Sequence, residues 1–231
     1  MKNTILILFI ILLGVYSPSC DKIGKCGSNV KLGTIHLSEV SKAFIPYNGN
    51  EELIFLNNEN EEYRLKSIEG IKNSNFTTIV KDLCTNNIFD FQYEYYDSNK
   101  VNIDFYDSDE NRTISISLTV IGLTDEETDI TSLFELLSVK IGQSFKSNPE
   151  IIPFAGDLKI ITNEIQNPPS QDLLNVFAIN TRYIGDTILA NHYFHNVYTA
   201  KAYDHLNKIY YNKEKGLIGM GNIDEFWVLS Y

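Results

Sequence analysis

Histidine is the side chain most often recruited to hold a transition metal. Three of the four histidines in this 231-residue chain fall close together, His192, His195 and His205. Two histidines three apart on a helix share one face, and a third completes a zinc set. Here Tyr193, Phe194, Val197 and Tyr198 favour a strand, where positions three apart face opposite sides. No glutamate adjoins either of the first two histidines, as a metallohydrolase helix requires. The three are therefore weak metal candidates, and sheet or surface histidines are the expectation. Other motifs fail on their spacing. Asp107-Ser-Asp109-Glu-Asn111 opens like a calcium loop, but Arg112 stands where glycine is needed and Leu118 where the closing glutamate belongs. Ser28-Asn-Val-Lys31 lacks the Ser-Asp-Asn and Lys-Thr-Gly partners that give such a spacing its chemistry. Acidic pairs such as Glu51-Glu52 and Glu61-Glu62 are expected among 30 acids, and none is marked out as acid and base. No catalytic residue and no cofactor is assigned.

Aromatic residues offer a binding reading instead. The chain has 14 Tyr and 13 Phe against a single Trp. Tyr93, Tyr95, Tyr96 and Tyr106 fall on one expected hairpin. Exposed, they stack on sugars or pack on a partner; buried, they are ordinary sheet formers. Alternation puts Tyr93 and Tyr95 on one face and Tyr96 on the other. The net charge of -11 and a pI near 4.8 argue against nucleic acid as a partner, since that role needs a basic face. A composition 43% hydrophobic and 21% charged is that of a globular chain.

The elements that would position these residues read mostly as strands. Leu53–Leu56, Tyr63–Ile68, Phe91–Tyr96 and Val101–Phe105 form a meander with Asn/Asp turns. Thr113–Ile121 alternates Ile114, Ile116, Leu118 and Val120 against Ser115, Ser117 and Thr119, the pattern of a half-buried antiparallel strand. His195–Tyr203, Lys208–Tyr211, Gly216–Met220 and Glu225–Tyr231 close the sheet. Two helices are expected. Thr77–Thr85 carries Ile79, Val80 and Leu83 at helical spacing. Ser132-x-x-Glu135 reads as a capping box ahead of Leu133, Leu137 and Ile141. The expected fold is thus α+β, mainly antiparallel sheet in meander hairpins with at least two helices. Four prolines between 149 and 169 mark a connection. It divides an N-terminal α+β region, 34–148, from a β-rich region, 170–231, and the two are open to reading as one domain.

The N-terminus reads as an address. Lys2 precedes an apolar run from Ile5 to Val15, about 16 Å long as a helix and half a bilayer core, the length of a signal-peptide segment. Ser17, Pro18, Ser19 and Cys20 follow. A small residue directly before such a cysteine resembles a bacterial lipobox, although Ser17 holds the place of the usual leucine. The resemblance implies a signal peptide over 1–19, acylation of Cys20, a tether over 20–33 and a chain anchored in the lipid bilayer. Removing Lys2 with the signal peptide would leave -12, spread evenly along the chain. Cys26 and Cys84 then remain. An even pair in an exported chain invites a disulfide, with two buried free thiols as the alternative.

Three segments together resemble uncharacterised exported lipoproteins of the Bacteroidota. They are Ser19-Cys20 with its leader, Phe44-Ile-Pro-Tyr-Asn-Gly-Asn-Glu-Glu-Leu-Ile-Phe55, and Ile209-Tyr-Tyr-Asn-Lys-Glu-Lys-Gly-Leu-Ile218 with Phe226-Trp-Val-Leu229. The resemblance implies a cell-envelope location, the outer membrane favoured over the inner, and supplies no activity. In that group Asp186-Thr187-Ile188 fits a pattern for O-glycan attachment at Thr187. The function expected from the sequence is a non-catalytic binding lipoprotein with a protein or glycan partner, its oligomeric state open. The alternative is an exported hydrolase whose active site the sequence does not reveal.

Overall fold

The structure, a computed structural model, describes residues 26–87, 90–107, 112–125, 130–143, 156–168, 170, 181–201, 208–221 and 226–230. Its strands are β1 Val30–Ile35, β2 Glu52–Leu56, β3 Glu62–Asn87, β4 Asp90–Tyr106, β5 Arg112–Asp125 and β6 Ile130–Gln143. They continue with β7 Gly156–Gln166, β8 Arg182–Leu189, β9 His192–Lys201, β10 Lys208–Asn212, β11 Gly216–Gly221 and β12 Phe226–Leu229. One short helix, α1, spans Glu39–Lys42. The described strands form one sheet in the order β7-β6-β5-β4-β3-β2-β12-β11-β10-β9-β8, with β1 off this path beside β4. Every neighbouring pair along that path is antiparallel. The sheet curls into a half-barrel, as the right-handed twist of many paired strands demands. The curl brings β7, at one edge, against β9 and β10 near the other. β7 lies inside the stretch read from the sequence as a proline-rich connection.

The two helices expected from the sequence are strands, so the fold is all-β in character and not α+β. The physical reasons differ. In Thr77–Thr85, β-branched Thr77, Thr78, Ile79 and Val80 favour an extended backbone. Register shifts between Ile79 and Lys81 and between Asp82 and Cys84 break the period of two, and the broken period imitates a helical one. In Ser132–Ile141 the cause is burial on both faces. Leu137, Val139 and Ile141 enter the main core, while Phe134 and Leu136 pack with Leu123 in a second cluster. A strand apolar on both sides has no alternation to read.

The main core fills the curl. Phe55, Leu65, Ile103, Phe105, Ile116 and Leu118 are fully buried there. The segment between β1 and β2 plugs it: Leu37, Phe44 and Tyr47 are buried in the same cluster. The Tyr47 ring meets Phe105 edge-on at 5.0 Å, and its hydroxyl accepts from Leu217 N–H at 2.8 Å. Tyr211 donates its hydroxyl to the Phe44 carbonyl. Gly216 closes the β10–β11 turn at φ 80°, and a Cβ there would strike the Tyr47 hydroxyl at 1.9 Å. Two constraints thus require glycine at one position.

What holds the plug in place is Glu135. The expected Ser132–Glu135 capping box does not form, because the segment is β6; Glu135 instead meets α1 across the fold. Ser38 caps α1, and Ser41 N–H donates to its Oγ. Glu135 then accepts from Ser38 N–H at 2.6 Å, from Ser38 Oγ at 2.6 Å and from Ser41 Oγ at 2.5 Å. Thr162 donates toward Ser41 Oγ and the Glu135 carbonyl. Thr162 is an extra residue in β7, opposite the junction of Glu135 and Leu136, and such a bulge re-aims its side chain. Glu135 is 1% exposed and Ser41 0%.

Cys26 and Cys84 form a disulfide, with Cα atoms 5.7 Å apart. It closes a loop of 58 positions, for which chain entropy gives about 4 kcal/mol of stabilisation. Gly27 N–H donates to Gln92 Oε1, and Tyr93 N–H donates to Asn29 Oδ1. β1 then runs parallel to β4 along Glu94–Ser98, where β4 has lost β5 as a neighbour. Residues from 26 onward within the expected tether are therefore bound to the sheet.

Two outcomes follow from this packing. Glu135→Ala should cost about 3–5 kcal/mol, because three donors lose a buried acceptor; urea unfolding would measure it, and a loss below about 1 kcal/mol would refute the role. Burial pushes the phenols of Tyr47 and Tyr211 up, so both stay neutral in the fold while ionising in the unfolded chain. Their folded pKa values are raised, so stability is full below about pH 10 and falls as the pH climbs beyond it. The urea midpoint should drop between about pH 9 and about pH 11, less steeply in Tyr211→Phe.

Candidate functional site

A groove opens where the plug meets the far edge of the sheet. Two adjoining cavities of about 480 and 260 Å³ share Glu214 as a wall. The larger is lined by Val40 and Phe44 from the α1 segment, Thr162 from β7, Tyr183 from β8, Asn196 and Tyr198 from β9, and Lys213 and Glu214 from the β10–β11 turn. Its size is that of a small-ligand site.

Each wall has a local cause. Ala190 and Asn191 both take positive φ, the conformation of a tight two-residue hairpin turn between β8 and β9. Asn196 also takes a positive φ, 52°, and this left-handed kink breaks the alternation of β9. Phe194 and Val197 are therefore both buried, while Tyr193, His195 and Asn196 stay outside. Tyr183 packs on Tyr198 at 5.2 Å, Tyr198 on Phe44 at 6.0 Å, and the Tyr183 hydroxyl donates to Asn196 Oδ1 at 2.9 Å. Lys213 Nζ lies 5.2 Å from the Phe44 ring centre, a cation over a ring face. The turn carrying Lys213 and Glu214 is held by Asn212. Its side chain donates to the His195 carbonyl and accepts from Lys215 N–H. Partial burial pushes the Tyr198 phenol up, with Tyr183 adding to it, so Tyr198 stays a neutral hydroxyl.

Beside the groove, Asp186 gathers three donors. Tyr193 donates its hydroxyl at 2.8 Å, His195 Nδ1 lies at 3.2 Å, and Asn196 N–H approaches at 3.4 Å. The Tyr193 hydroxyl, then His195, hold the Asp186 carboxyl below its ordinary range, and Asp186 in turn pushes the Tyr193 phenol up. The Tyr193 and His195 rings meet edge-on at 4.8 Å. This cluster fixes the β8–β9 hairpin.

The sequence candidates fall at separate places. His192 sits at the hairpin turn beside Phe194, and His195 pairs with Asp186. His205 and Cys20 lie outside the described residues. Among the described residues, no three metal-capable side chains come together. Thr187 is half-buried on β8, opposite Phe194. Tyr93 and Tyr95 do share a face, their rings 5.7 Å apart, but with Tyr96 and Tyr106 they are half-buried on β4 and do not line the groove. The groove aromatics were not legible because Phe44 lies far along the chain from the β8–β9 pair Tyr183 and Tyr198. The one local signal was Asn196, a residue that tolerates a left-handed backbone. Comparison of the chain with protein-family models, curated proteins and solved structures finds no match.

The Asp186 cluster makes a pH prediction. A depressed folded pKa means that the contacts are complete above the ordinary carboxyl value near 3.8 and are lost as the pH falls through the lower one. The Asn196 amide resonance should titrate with a midpoint below 3.8. An ordinary midpoint would show that the carboxyl is not held.

Proposed function

We propose that the mature chain is a bacterial envelope lipoprotein, anchored in the bilayer through an acylated Cys20, and that its β body is a non-catalytic binding module for a glycan chain. The observation that carries the binding reading is the groove. It combines contacting, tilted aromatic rings with an amide, an ammonium and a carboxylate at its rim. Sugars present an apolar C–H face and a hydroxyl edge, and they need both kinds of surface. Tyr183 is 54% exposed, so its ring is available for such stacking. Among the described residues that line it, Glu214 is the one carboxylate, whereas glycoside hydrolysis ordinarily needs two facing carboxyl groups. This favours binding over the hydrolase reading. The signal-like leader, the small residue before Cys20 and the Cys26–Cys84 disulfide of an oxidising compartment support export.

Two measurements test this reading. Radiolabelled fatty acid should be incorporated by the full chain and lost in Cys20→Ala; label retained by the variant refutes the anchor. Calorimetry with soluble glucan, mannan and uronic-acid oligosaccharides should find a ligand whose affinity drops about tenfold in Tyr183→Ala, the loss of one aromatic stacking contact. Binding that is indifferent to Tyr183→Ala, or absent across the three classes, overturns the glycan reading.

A further inference from the structure

The exposed apolar side chains of this molecule are unevenly placed. Of the twelve large hydrophobic residues exposed among those described, six lie on β1 and the distal part of the β3–β4 hairpin: Val30, Leu32, Phe76, Ile79, Leu83 and Phe91. Phe91 is 49% exposed, and its register partner Thr85 adjoins Cys84. Leu83 precedes Cys84 directly. Leu83 and Phe91 therefore lie close along the strands to the disulfide with Cys26.

We infer that this end of the β3–β4 hairpin rests on the lipid surface and sets the orientation of the body, an inference that depends on the proposed acylation of Cys20. Three observations converge. Cys20 lies six positions before Cys26, so a fully extended chain reaches at most about 20 Å. Behind Cys26 there is no slack: the disulfide, the Gly27–Gln92 and Asn29–Tyr93 hydrogen bonds and the β1–β4 pairing fix the chain to this end of the sheet. A lipid on Cys20 thus keeps Leu83 and Phe91 within the short reach of that linker from the interface. The six positions also carry Lys22 and Lys25 against Asp21, although the chain as a whole is strongly acidic. Basic residues beside an anchor are attracted to anionic headgroups. Apolar side chains at the same level enter the boundary between headgroups and acyl chains, as they do in interfacial segments. The groove is lined from β7, β8, β9, the β10–β11 turn and the α1 segment, and not from β3 or β4.

Depth-dependent quenching reads the orientation directly. The chain's single tryptophan, Trp227, is buried and gives a constant background. The acylated full-length protein carrying Phe91→Trp, or Val30→Trp as a second variant, is reconstituted in phosphatidylethanolamine–phosphatidylglycerol vesicles with brominated acyl chains. The Ile188→Trp variant, on β8, is the control. Far-UV circular dichroism and an intact disulfide show that each variant is folded. The expected result is that bromine removes most of the added emission at position 91 or 30 and leaves that at 188. If the protein floats with the vesicles while positions 91 and 30 stay unquenched, the orientation is overturned and the anchor stands. Equal quenching at 188 also overturns it. Protein that does not float overturns the anchor, and the orientation with it.

Discussion

A buried carboxyl group that accepts three hydrogen bonds from a four-residue helix and its capping serine is the constraint on which this fold turns. A strand-built half-barrel has an open side, and the core inside it must be covered. The cover is a short segment with little helical content of its own, too short to be stable by propensity. Glu135 supplies what propensity does not, because a buried polar group left without hydrogen-bond partners costs more than the ordering of Ser38 and Ser41 around it. The position of the plug is therefore fixed by the need of one buried carboxyl group for donors, and the apolar contacts of Leu37, Phe44 and Tyr47 accompany it.

The groove is a by-product of the same arrangement. Val40 and Phe44 face it only because α1 is held against β6 and β7, and Thr162 lies on its floor because the β7 bulge turns that residue toward Ser41. The far wall depends on backbone rather than on burial. The left-handed Asn196 and the Asn212-braced turn set Tyr183, Tyr198, Lys213 and Glu214 around a common space. One side of the site is thus anchored electrostatically and the other conformationally, with the β7–β9 approach of the curled sheet joining them.

Strands with one wet face were legible in the sequence, as the clean alternation of Thr113–Ile121 in β5 shows. The segments misread as helices were those that depart from that regime, β6 by burial on both faces and distal β3 by its bulges. Ser132-x-x-Glu135 failed as a capping box for an instructive reason: the glutamate does cap a helix, but one that lies 94 positions away along the chain at Ser41. No local window contains that pairing. The cysteine pair was legible because its logic is arithmetic, whereas the site was not, because its residues converge only once the sheet has curled.

The disulfide also decides how the body answers to tension. A pull on the N-terminus reaches Cys26 and passes through the sulfur bridge into Cys84, so it enters the longest strand pair of the sheet and bypasses β1. β1 carries no load while the bridge is intact. Reduction would reroute the pull along β1, parallel to β4, where the ladder bonds are strained together in shear rather than opened one by one. The covalent link is in this sense a mechanical junction, keeping a pull on the N-terminus away from the plug that closes the core.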